Sequence, residues 1–455
     1  MNIFKINRSI IEDRFDPPYY KAKPDFSKFI KLSKIAVVKG GKRIPLGMSY
    51  TTEQTNYLYL RVADMLDGDI DYSTLNHIGN DVFEILKSYE ISKNDIALSI
   101  AGTIGKVIFL KNIPQNNKII LTENCAKIQI KDTSVLSQYL ALLLILNITQ
   151  KQIELNYIQT TIPKLGLDRI RNLYLPPIPP LSVQQTIVDL YTNAQSQRKR
   201  KLEEAQKLLV SVDAYLLSEL GIELSQEDNT LRKRIFKVSS SQLIGSRWDC
   251  SSNKNDFSLN SNKFTNVKLF DVVSINPSVY FPLNIEEITF IPMEAIDENY
   301  GEITANYKKE VAESNGFTRF MQGDLLWAKI TPCMQNGKSA VVRETINGYA
   351  CGSTEFFVLR CNKNKIDVNY LFYIMHVKKL LEYATNFFGG NAGQQRVSKD
   401  FLLNLKIPLP PLDKQIDIAS KLQEIQNNAK QLKNEADMIL QEAKQKVERM
   451  ILGDE

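Results

Sequence analysis

The sequence predicts an α+β protein in which two strand-rich globular domains are separated by a long antiparallel helical coiled coil. Three observations predict this fold. The chain repeats itself after about 231 residues, each copy contains short strand-like runs, and each copy ends in a long helical pattern. With 455 residues, the chain is also long enough to bury more than one hydrophobic core.

The repeat is clearest at two proline-rich segments. Residues 178–184 (IPPLSVQ) recur as residues 409–415 (LPPLDKQ), a shift of 231 residues. Other pairs keep the same order within a few residues of this shift: 94–96 (NDI) with 323–325 (GDL), 105–106 with 337–338 (both GK), 59–63 (YLRVA) with 290–294 (FIPME), and 14–16 (RFD) with 247–249 (RWD). Solenoid repeats are only about 20 to 50 residues long, so the pattern indicates a duplicated domain and helix.

The duplication predicts five segments. These are a first globular domain at residues 1–180, a helix at 181–220, a linker at 221–245, a second globular domain at 246–411 and a second helix at 412–455. Runs such as 127–130 (KIQI) and 356–359 (FFVL) are typical of strands. The apolar run 140–148 is too short to span a bilayer and is expected to be a buried helix.

Both helices are predicted to begin at the Pro-Pro-Leu segments, with Ser182 and Asp413 as N-caps. In the second helix, apolar residues alternate at spacings of four and three, as in a coiled coil: Ile418, Leu422, Ile425, Ala429, Leu432, Ala436, Ile439 and Ala443. In the first helix, the polar stretch 195–201 interrupts a similar pattern. Neither helix could keep such a seam in water alone, and a parallel pair would crowd the two domains, so we expect antiparallel pairing.

Net charge, cysteine spacing and the first residues of the chain indicate which broad class of protein this is. A formal charge of +6 is compatible with a nucleic-acid partner without requiring one. The five cysteines are odd in number and lack C-x-x-C spacing, so we expect reduced, buried thiols and no metal. The first residues mix charged with apolar side chains, unlike a secretory signal, so we expect a cytoplasmic protein with no membrane contact.

One tetrapeptide suggests an enzyme. Residues 16–19 (DPPY) have the letters of the catalytic motif of amino-group DNA methyltransferases. However, no suitably placed glycine-rich loop for S-adenosylmethionine follows a predicted strand, and the repeat of this segment reads WDCS. The sequence contains only two histidines and has no Walker motif. We therefore expect a non-catalytic protein that needs no cofactor.

The repeated segments together resemble the specificity subunit of type I restriction-modification systems. The resemblance covers essentially the whole chain and rests on residues 14–20, 41–45, 59–64, 323–333 and both Pro-Pro-Leu-x-x-Gln segments. It implies two target-recognition domains that read a bipartite double-stranded DNA target. It also implies that the helices bind two methyltransferase (M) subunits, and that nuclease-translocase (R) subunits join in the restriction form. The chain departs from the pattern at residues 99–103 (SIAGT), which stand in place of residues 329–333 (KITPC).

Several loops combine cations, amides and glycines in a way that suits DNA contact, although ordinary surface turns would look similar. The candidate residues are Lys39, Lys42, Arg43, Thr103, Lys106, Gln159, Thr160, Thr161, Lys164, Lys329, Thr331, Lys338, Asn391, Gln394, Gln395 and Arg396. The basic run 198–201 is most simply a solvated helix flank, with contact to a partner or to DNA as the alternative. Two other functions stay open on the sequence alone: a stand-alone adenine methyltransferase centred on Asp16, and a scaffold that organises other proteins.

Overall fold

The computed structural model describes residues 28–66, 69–156, 163–224, 257–390 and 394–453. The chain forms two compact units: the first consists of Met1–Arg200 and Glu435–Glu455, and the second of Lys201–Asn434. Each unit thus contains a strand-rich part and a portion of both long helices. The domain boundaries predicted above stay a prediction. No helix in the described ranges is long and apolar enough to cross a membrane.

Both units contain the same two four-stranded sheets, here named sheet A and sheet B. In the first unit, sheet A has the strand order Asn76–His77, Tyr57–Leu60, Lys118–Leu121, Glu90–Ile91, and sheet B has the order Ala36–Gly40, Cys125–Ile130, Ile96–Ser99, Val107–Phe109. In the second unit, sheet A has the order Tyr307–Glu310, Glu287–Ile291, Tyr349–Gly352, Thr318–Met321, and sheet B has the order Val273–Ile275, Phe356–Cys361, Leu325–Ala328, Ser339–Val341. The strands predicted at 127–130 and 356–359 are therefore confirmed.

Strand directions also repeat between the units. The two central strands of sheet A run parallel in each unit, with Leu58 opposite Ile119 in the first and Phe290 opposite Cys351 in the second. The other pairings in both sheets are antiparallel. Smaller two-stranded pairings join Ile30–Lys31 to Tyr174–Leu175, Met65–Leu66 to Asp69–Ile70, Asn266–Lys268 to Lys406–Pro408, and Phe388–Gly389 to Arg396–Val397.

Short helices cover the sheets, and the last three of the first unit have counterparts in the second. In the first unit they are Leu32–Ile35, Asn80–Leu86, Ser137–Ile145, Asn147–Asn156 and Leu167–Arg171, and in the second Val368–His376, Lys378–Ala384 and Lys399–Asn404. The apolar run predicted as a buried helix is confirmed, because Ser137–Ile145 is helical and buries its leucines. Single 3-10 turns lie at Val62–Asp64, Tyr72–Thr74, Lys87–Tyr89, Leu269–Asp271, Met293–Ala295, Val311–Ser314, Ile346–Gly348 and Thr385–Phe387.

The two long helices are Leu181–Leu220 and Leu412–Leu452. The N-cap prediction is wrong, because Ser182 and Asp413 lie inside the first turn of each helix. The carbonyls of Pro180 and Pro411 already accept the first helical hydrogen bonds. Proline suits a helix start because its fixed φ fits the turn and its missing N–H would have had no partner there.

The predicted helix seam is buried within the units. The core of the first unit includes Ile187 of the first long helix and Val447 of the second. The core of the second unit includes Leu216 of the first long helix and Leu422 of the second. Each unit therefore combines the first part of one helix with the last part of the other, which is the arrangement that antiparallel pairing produces.

The polar stretch of the first helix is not uniformly solvated. Within the first unit, the Arg198 side chain is only 21% exposed, and its guanidinium lies 3.4 Å from the carboxylate of Asp437 on the second helix. Lys199 and Arg200 are exposed. The solvated interpretation of the basic run therefore holds for those two side chains but is wrong for Arg198.

A buried glutamine in each unit fixes the start of a long helix to its globular domain. Gln184 accepts a hydrogen bond from the Leu136 N–H at 2.8 Å and donates to the carbonyls of Ser134 and Pro179. Gln415 makes the same three kinds of bond, with the Asp367 N–H and the carbonyls of Lys365 and Pro410. Both side chains are fully buried. The repeated glutamine of the Pro-Pro-Leu-x-x-Gln segment thus has a structural role, because it anchors the start of the helix to its globular domain.

Two repeated turns confirm the sequence alignment. Asn94 and Gly323 both have positive φ, at 71° and 93°, and the aspartate that follows each accepts a main-chain N–H two residues upstream of the turn. Gly105 and Gly337 also share positive φ, at 91° and 79°. Asn and Gly are the residues that adopt this conformation most readily, so the alternation of Asn and Gly between copies has a conformational reason.

Candidate nucleic-acid interface

The first group of candidates lies where sheet B of the first unit ends. Ala36–Gly40 alternates buried and exposed residues up to Lys39, which places Lys39 on the outer face. Gly41 approaches sheet A so closely that a Cβ atom would lie 2.1 Å from the carbonyl oxygen of Thr122. The close contact of this glycine is therefore with the protein's own main chain.

The two cations that follow remain at the surface, and the main chain of Lys42 is fixed by hydrogen bonds. The Lys42 N–H donates to the Leu121 carbonyl at 2.9 Å, and the Lys42 carbonyl accepts from the Tyr59 hydroxyl at 2.8 Å. Burial raises the pKa of Tyr59 to about 12, so this hydroxyl stays a donor at neutral pH. Arg43 is 78% exposed and pairs with Glu123 at 2.6 Å. A rigid main chain thus presents Lys42 and Arg43 to solvent.

The paired lysines of the two Gly-Lys segments have a shared structural role. Lys106 Nζ donates to the Met65 carbonyl at 3.1 Å, and Lys338 Nζ donates to the Met293 carbonyl at 3.4 Å. Both carbonyls lie at the 3-10 turn that follows a central strand of sheet A, Tyr57–Leu60 in the first unit and Glu287–Ile291 in the second. These two amines therefore tie one part of each domain to another.

The loop at which the two copies diverge in sequence occupies the same place in both units. The structural pairing of its residues, however, is shifted by one position from the pairing that the sequence alignment gave. The Ile100 N–H donates to the Asn124 carbonyl at 2.8 Å, and the Lys329 N–H donates to the Glu355 carbonyl at 2.9 Å. Ile100 therefore corresponds to Lys329, whereas the sequence alignment had paired Ser99 with Lys329. Thr103 is exposed, and its carbonyl accepts from the Ser99 hydroxyl.

In the second unit, Lys329 faces a surface cavity of about 450 Å³. Its Nζ lies 5.6 Å from the ring centroid of Phe357. Arg319 and Tyr280 also line the cavity, and the Arg319 guanidinium stacks 4.7 Å from the ring centroid of Phe281. Tyr280 is 83% exposed. The rings of Phe357 and Phe281 are buried and half-buried, so Tyr280 supplies the exposed ring of this cavity. Cations suit contact with phosphates, and an exposed aromatic ring suits stacking on bases.

Sequence reasoning missed Arg319 and Tyr280. A signal was present in the aromatic pair at residues 280–281 (YF), which is followed by a proline. What the sequence could not show is that a neighbouring strand, Thr318–Met321, brings Arg319 to this loop.

The loop that ends with Arg396 is bonded to the divergent loop. Thr331 and Gln395 exchange two hydrogen bonds, from the Thr331 N–H to the Gln395 carbonyl at 2.9 Å and from the Gln395 N–H to the Thr331 hydroxyl at 3.2 Å. Gln394 is exposed. Arg396 donates two hydrogen bonds of 2.8 Å to the Glu355 carboxylate. These bonds hold the pKa of Glu355 below its ordinary value.

The geometry of Arg396 differs from the expectation for a base-reading arginine. Its guanidinium fork, which would fit the edge of a guanine, is occupied by Glu355 and by the Gln394 carbonyl. In the first unit, the equivalent position is Lys164. Lys164 pairs with Ala101 across a β-bridge, as Arg396 pairs with Ile330, and its side chain is exposed.

Several candidates lie outside the described residues: Gln159, Thr160, Thr161, Asn391, and the segments 14–20 and 247–251, which include Asp16. Among the described cysteines, Cys125 and Cys351 are buried, as expected, but Cys333 and Cys361 are half-buried. Burial raises the pKa of the Cys125 and Cys361 thiols to about 12. The described residues contain no cluster of three or more His, Cys, Asp or Glu side chains that could hold a metal ion.

Comparison with known proteins gives two matches to one family within this chain. The sequence profile of the type I restriction modification DNA specificity domain matches residues 24–207 and again residues 261–438. These matches fall on the two copies of the repeat.

Curated relatives match part of the chain. The specificity subunit of the type I restriction enzyme EcoEI of Escherichia coli is 29% identical over 186 residues. That of the Escherichia coli enzyme EcoAI is 33% identical over 181 residues. These alignments cover 41% and 40% of this chain and 31% of the length of each relative.

A solved structure shows the same fold over most of the chain. It comes from a study of complex assembly and conformational transition of the type I R-M system, with a TM-score of 0.52 and 14% sequence identity. The superposition covers 93% of this chain and 96% of that chain.

Proposed function

The chain belongs to the family of type I restriction-modification DNA specificity domains, and from this premise we propose that each unit reads one half of a bipartite double-stranded DNA target. The observation that carries the proposal is the difference between the copies. Their sheets, turns and buried glutamines are equivalent, whereas the side chains on equivalent loops are not. Two related surfaces with different side chains suit two different base sequences.

The proposed contacts are candidates whose side chains reach the surface, together with Arg319. In the first unit they are the exposed Lys39, Lys42, Arg43, Thr103 and Lys164, and in the second the exposed Gln394 and the half-buried Lys329 and Arg319. The lysines suit phosphate contacts, which give affinity but carry little sequence information. Gln394 and Thr103 suit base edges. Lys106, Lys338 and Arg396 are proposed to shape these loops, because each is bonded to a distant part of its own unit. Arg43 and Arg319 also have partners within the protein, Glu123 and Asn315. They stay among the proposed contacts because Arg43 is largely exposed and Arg319 lines the cavity.

We further propose that the chain performs no chemistry and depends on partners. Two methyltransferase subunits would supply methylation, and nuclease-translocase subunits would join in the restriction form, in the cytoplasm where genomic DNA lies. The long helices carry exposed apolar side chains that suit a protein partner, among them Val210, Ile416 and Met438.

The proposal is tested by expressing the chain with its methyltransferase partner and mapping methylated adenines across genomic DNA. We expect a single bipartite target with two specified halves and a fixed gap. The methyltransferase without this chain is the control and should give no such target. A continuous target, or methylation that does not depend on the chain, would contradict the proposal.

A second measurement separates the alternative functions. The purified chain should bind S-adenosylmethionine no better than an unrelated protein and should methylate nothing. Turnover abolished by Asp16→Ala would favour the stand-alone methyltransferase. Normal assembly with partners, without selective retention of any duplex, would favour the scaffold.

A further inference from the structure

Each unit presents one leucine that is completely exposed. Relative exposure is 105% for Leu46 and 106% for Leu283. Each follows a proline, and each lies in a turn closed by one main-chain hydrogen bond: the Met48 N–H donates to the Pro45 carbonyl, and the Ile285 N–H donates to the Pro282 carbonyl, both at 3.1 Å. The turns differ in conformation, because Gly47 has a φ of 85° whereas Asn284 has no positive φ. A single exposed leucine on a protein surface is ordinary. A fully exposed leucine after a proline in both units requires an explanation.

The two turns occupy the same place in the fold. Each lies in the loop that leaves the first strand of sheet B and leads to the central parallel strand of sheet A, at residues 41–56 in the first unit and 276–286 in the second. The loops differ in length and in almost all of their sequence. The Pro-Leu pair recurs 237 residues apart instead of 231, so a uniform shift does not align it. The Pro-Leu pair and its closing hydrogen bond are thus present in both loops, although the length and the sequence of the loops differ.

The base of each loop is held firmly by main-chain hydrogen bonds. In the first unit, the Gly41 N–H donates to the Cys125 carbonyl at 3.0 Å, and Lys42 is bonded as described above. In the second, Asn276 donates its N–H to the Val358 carbonyl at 2.7 Å and accepts the Val358 N–H on its side chain at 2.9 Å. The fixed φ of the proline restrains the tip. The leucine is therefore presented on a supported turn.

Cations accompany both leucines. Lys42 and Arg43 lie on the same loop as Leu46. In the second unit, Val279 and Tyr280 of the Leu283 loop share the cavity lining with Arg319 and Lys329. An apolar tip with cations nearby matches double-stranded DNA, in which phosphates flank grooves that offer thymine methyl groups and base steps to apolar side chains.

We propose that Leu46 and Leu283 each make an apolar contact with the bases of one half of the DNA target. The inference rests on the proposed function, in which each unit reads one half. It adds that each half of the target is contacted by an exposed leucine, whereas the surrounding polar side chains differ between the units. Two kinds of contact share this chemistry: packing against a thymine methyl group, and insertion between adjacent base pairs.

The test uses the chain assembled with its methyltransferase partner and a duplex that carries the mapped target. Leu46→Ser and Leu283→Ser should each weaken binding by about tenfold, since each loses the burial of one leucine side chain. The dependence of binding on salt should stay unchanged, because no phosphate contact is lost. Lys42→Ala should instead make that dependence shallower. Ile85→Ser, which changes an exposed residue on the helix Asn80–Leu86, is the matched control and should bind like the wild type.

Base analogues identify the contact. If the leucine packs on a methyl group, replacing one thymine of the corresponding half by uracil should weaken wild-type binding and leave the matching Leu→Ser variant unaffected. If it inserts, 2-aminopurine at the contacted step should brighten with wild-type protein and not with that variant. Either result supports the proposal.

Three results would overturn the proposal: unchanged affinity of both leucine variants, a loss of methyltransferase recruitment with normal binding by the complexes that still form, or an effect of each variant on both halves together. The second would mean that the turns contact the partner protein. Failure of the proposed function is a separate result, because there the wild-type complex itself would select no bipartite duplex.

Discussion

The two units use the same aspartate to close the same turn but surround it with different charges. Asp95 and Asp324 each accept a main-chain N–H, from Ser92 and from Met321. The second bond of Asp95 comes from the neutral amide of Gln129, whereas Asp324 accepts two bonds of 2.7 Å from the guanidinium of Arg360. The main-chain bond has been kept, and the side chain that supports it has changed.

The same contrast recurs beside the divergent loop. Asn124 and Glu355 offer equivalent carbonyls to Ile100 and Lys329. Of Asn124 and Glu355, only Glu355 has a carboxylate side chain, and this carboxylate pairs with Arg396. The comparison teaches that duplication conserved the bonds that shape the loops and left the surface charges free to diverge. A protein that presents two different surfaces on the same fold needs loop-shaping bonds that stay constant while the surface charges vary.

The largest effect is expected from exchanging a whole recognition surface. Replacing residues 246–411 with the same segment of a relative should change one half of the target completely and leave the other half untouched, because each unit has its own sheets and loops. Methylated-site mapping of the hybrid measures this. A hybrid that altered both halves together would refute independent reading.

The buried glutamines should matter equally in both units. Gln415→Ala leaves the Asp367 N–H and the carbonyls of Lys365 and Pro410 without this partner, and the bond to Pro410 is fully buried. The substitution should lower the free energy of unfolding of the second unit by about 2 kcal/mol or more. Gln184→Ala should do the same to the first unit. Urea unfolding followed by the fluorescence of the buried Trp327, in a Trp248→Phe background, measures the second unit, and hydrogen exchange measures the first. A cost in one unit only would show that the two junctions are not equivalent.

The two aspartates should differ. Asp324→Asn removes the charge that Arg360 faces and should cost about 2 kcal/mol, because hydrogen bonds to charged groups are the stronger kind. Asp95→Asn keeps a neutral partner for Gln129 and should cost at most about 1 kcal/mol. The same two unfolding measurements apply. Equal costs would mean that the ionic pair adds nothing to the shared turn.

The smallest effect is a pH dependence that comes from the ion pair beside the divergent loop of the second unit. Arg396 lowers the pKa of Glu355, so this pair stabilises the folded state above the ordinary glutamate pKa, and the stabilisation is lost as pH falls through the lowered folded value. Because both side chains are partly exposed, the contribution should be well under 1 kcal/mol. Glu355→Gln should therefore be less stable than the wild type at pH 7, and the two should become indistinguishable once pH has fallen below the lowered folded pKa of Glu355. Arg396→Gln, which removes the cation of this pair, should abolish the same dependence.

The sequence by itself determined the duplication, the strand-rich copies and the two long helices with an apolar seam. These follow from local patterns: the Pro-Pro-Leu segments, the short β-branched runs and the apolar spacing of four and three are all read along the chain. It also identified Asn94 with Gly323 and Gly105 with Gly337, because a left-handed turn restricts which residues can occupy it. The buried helix over the apolar run 140–148 was predicted for the same kind of local reason.

Tertiary structure decided which polar side chains are available at the surface. Lys106, Lys338 and Arg396 look alike as candidates in the sequence, but each is bonded to a residue more than 40 positions away. Arg319 was missed because a neighbouring strand, and not its own segment, brings it to the Tyr280 loop. The recurrence of Leu46 and Leu283 became visible only when the loops were placed on equivalent strands. Contacts between distant segments depend on the packing of sheets and loops, and no local pattern encodes them.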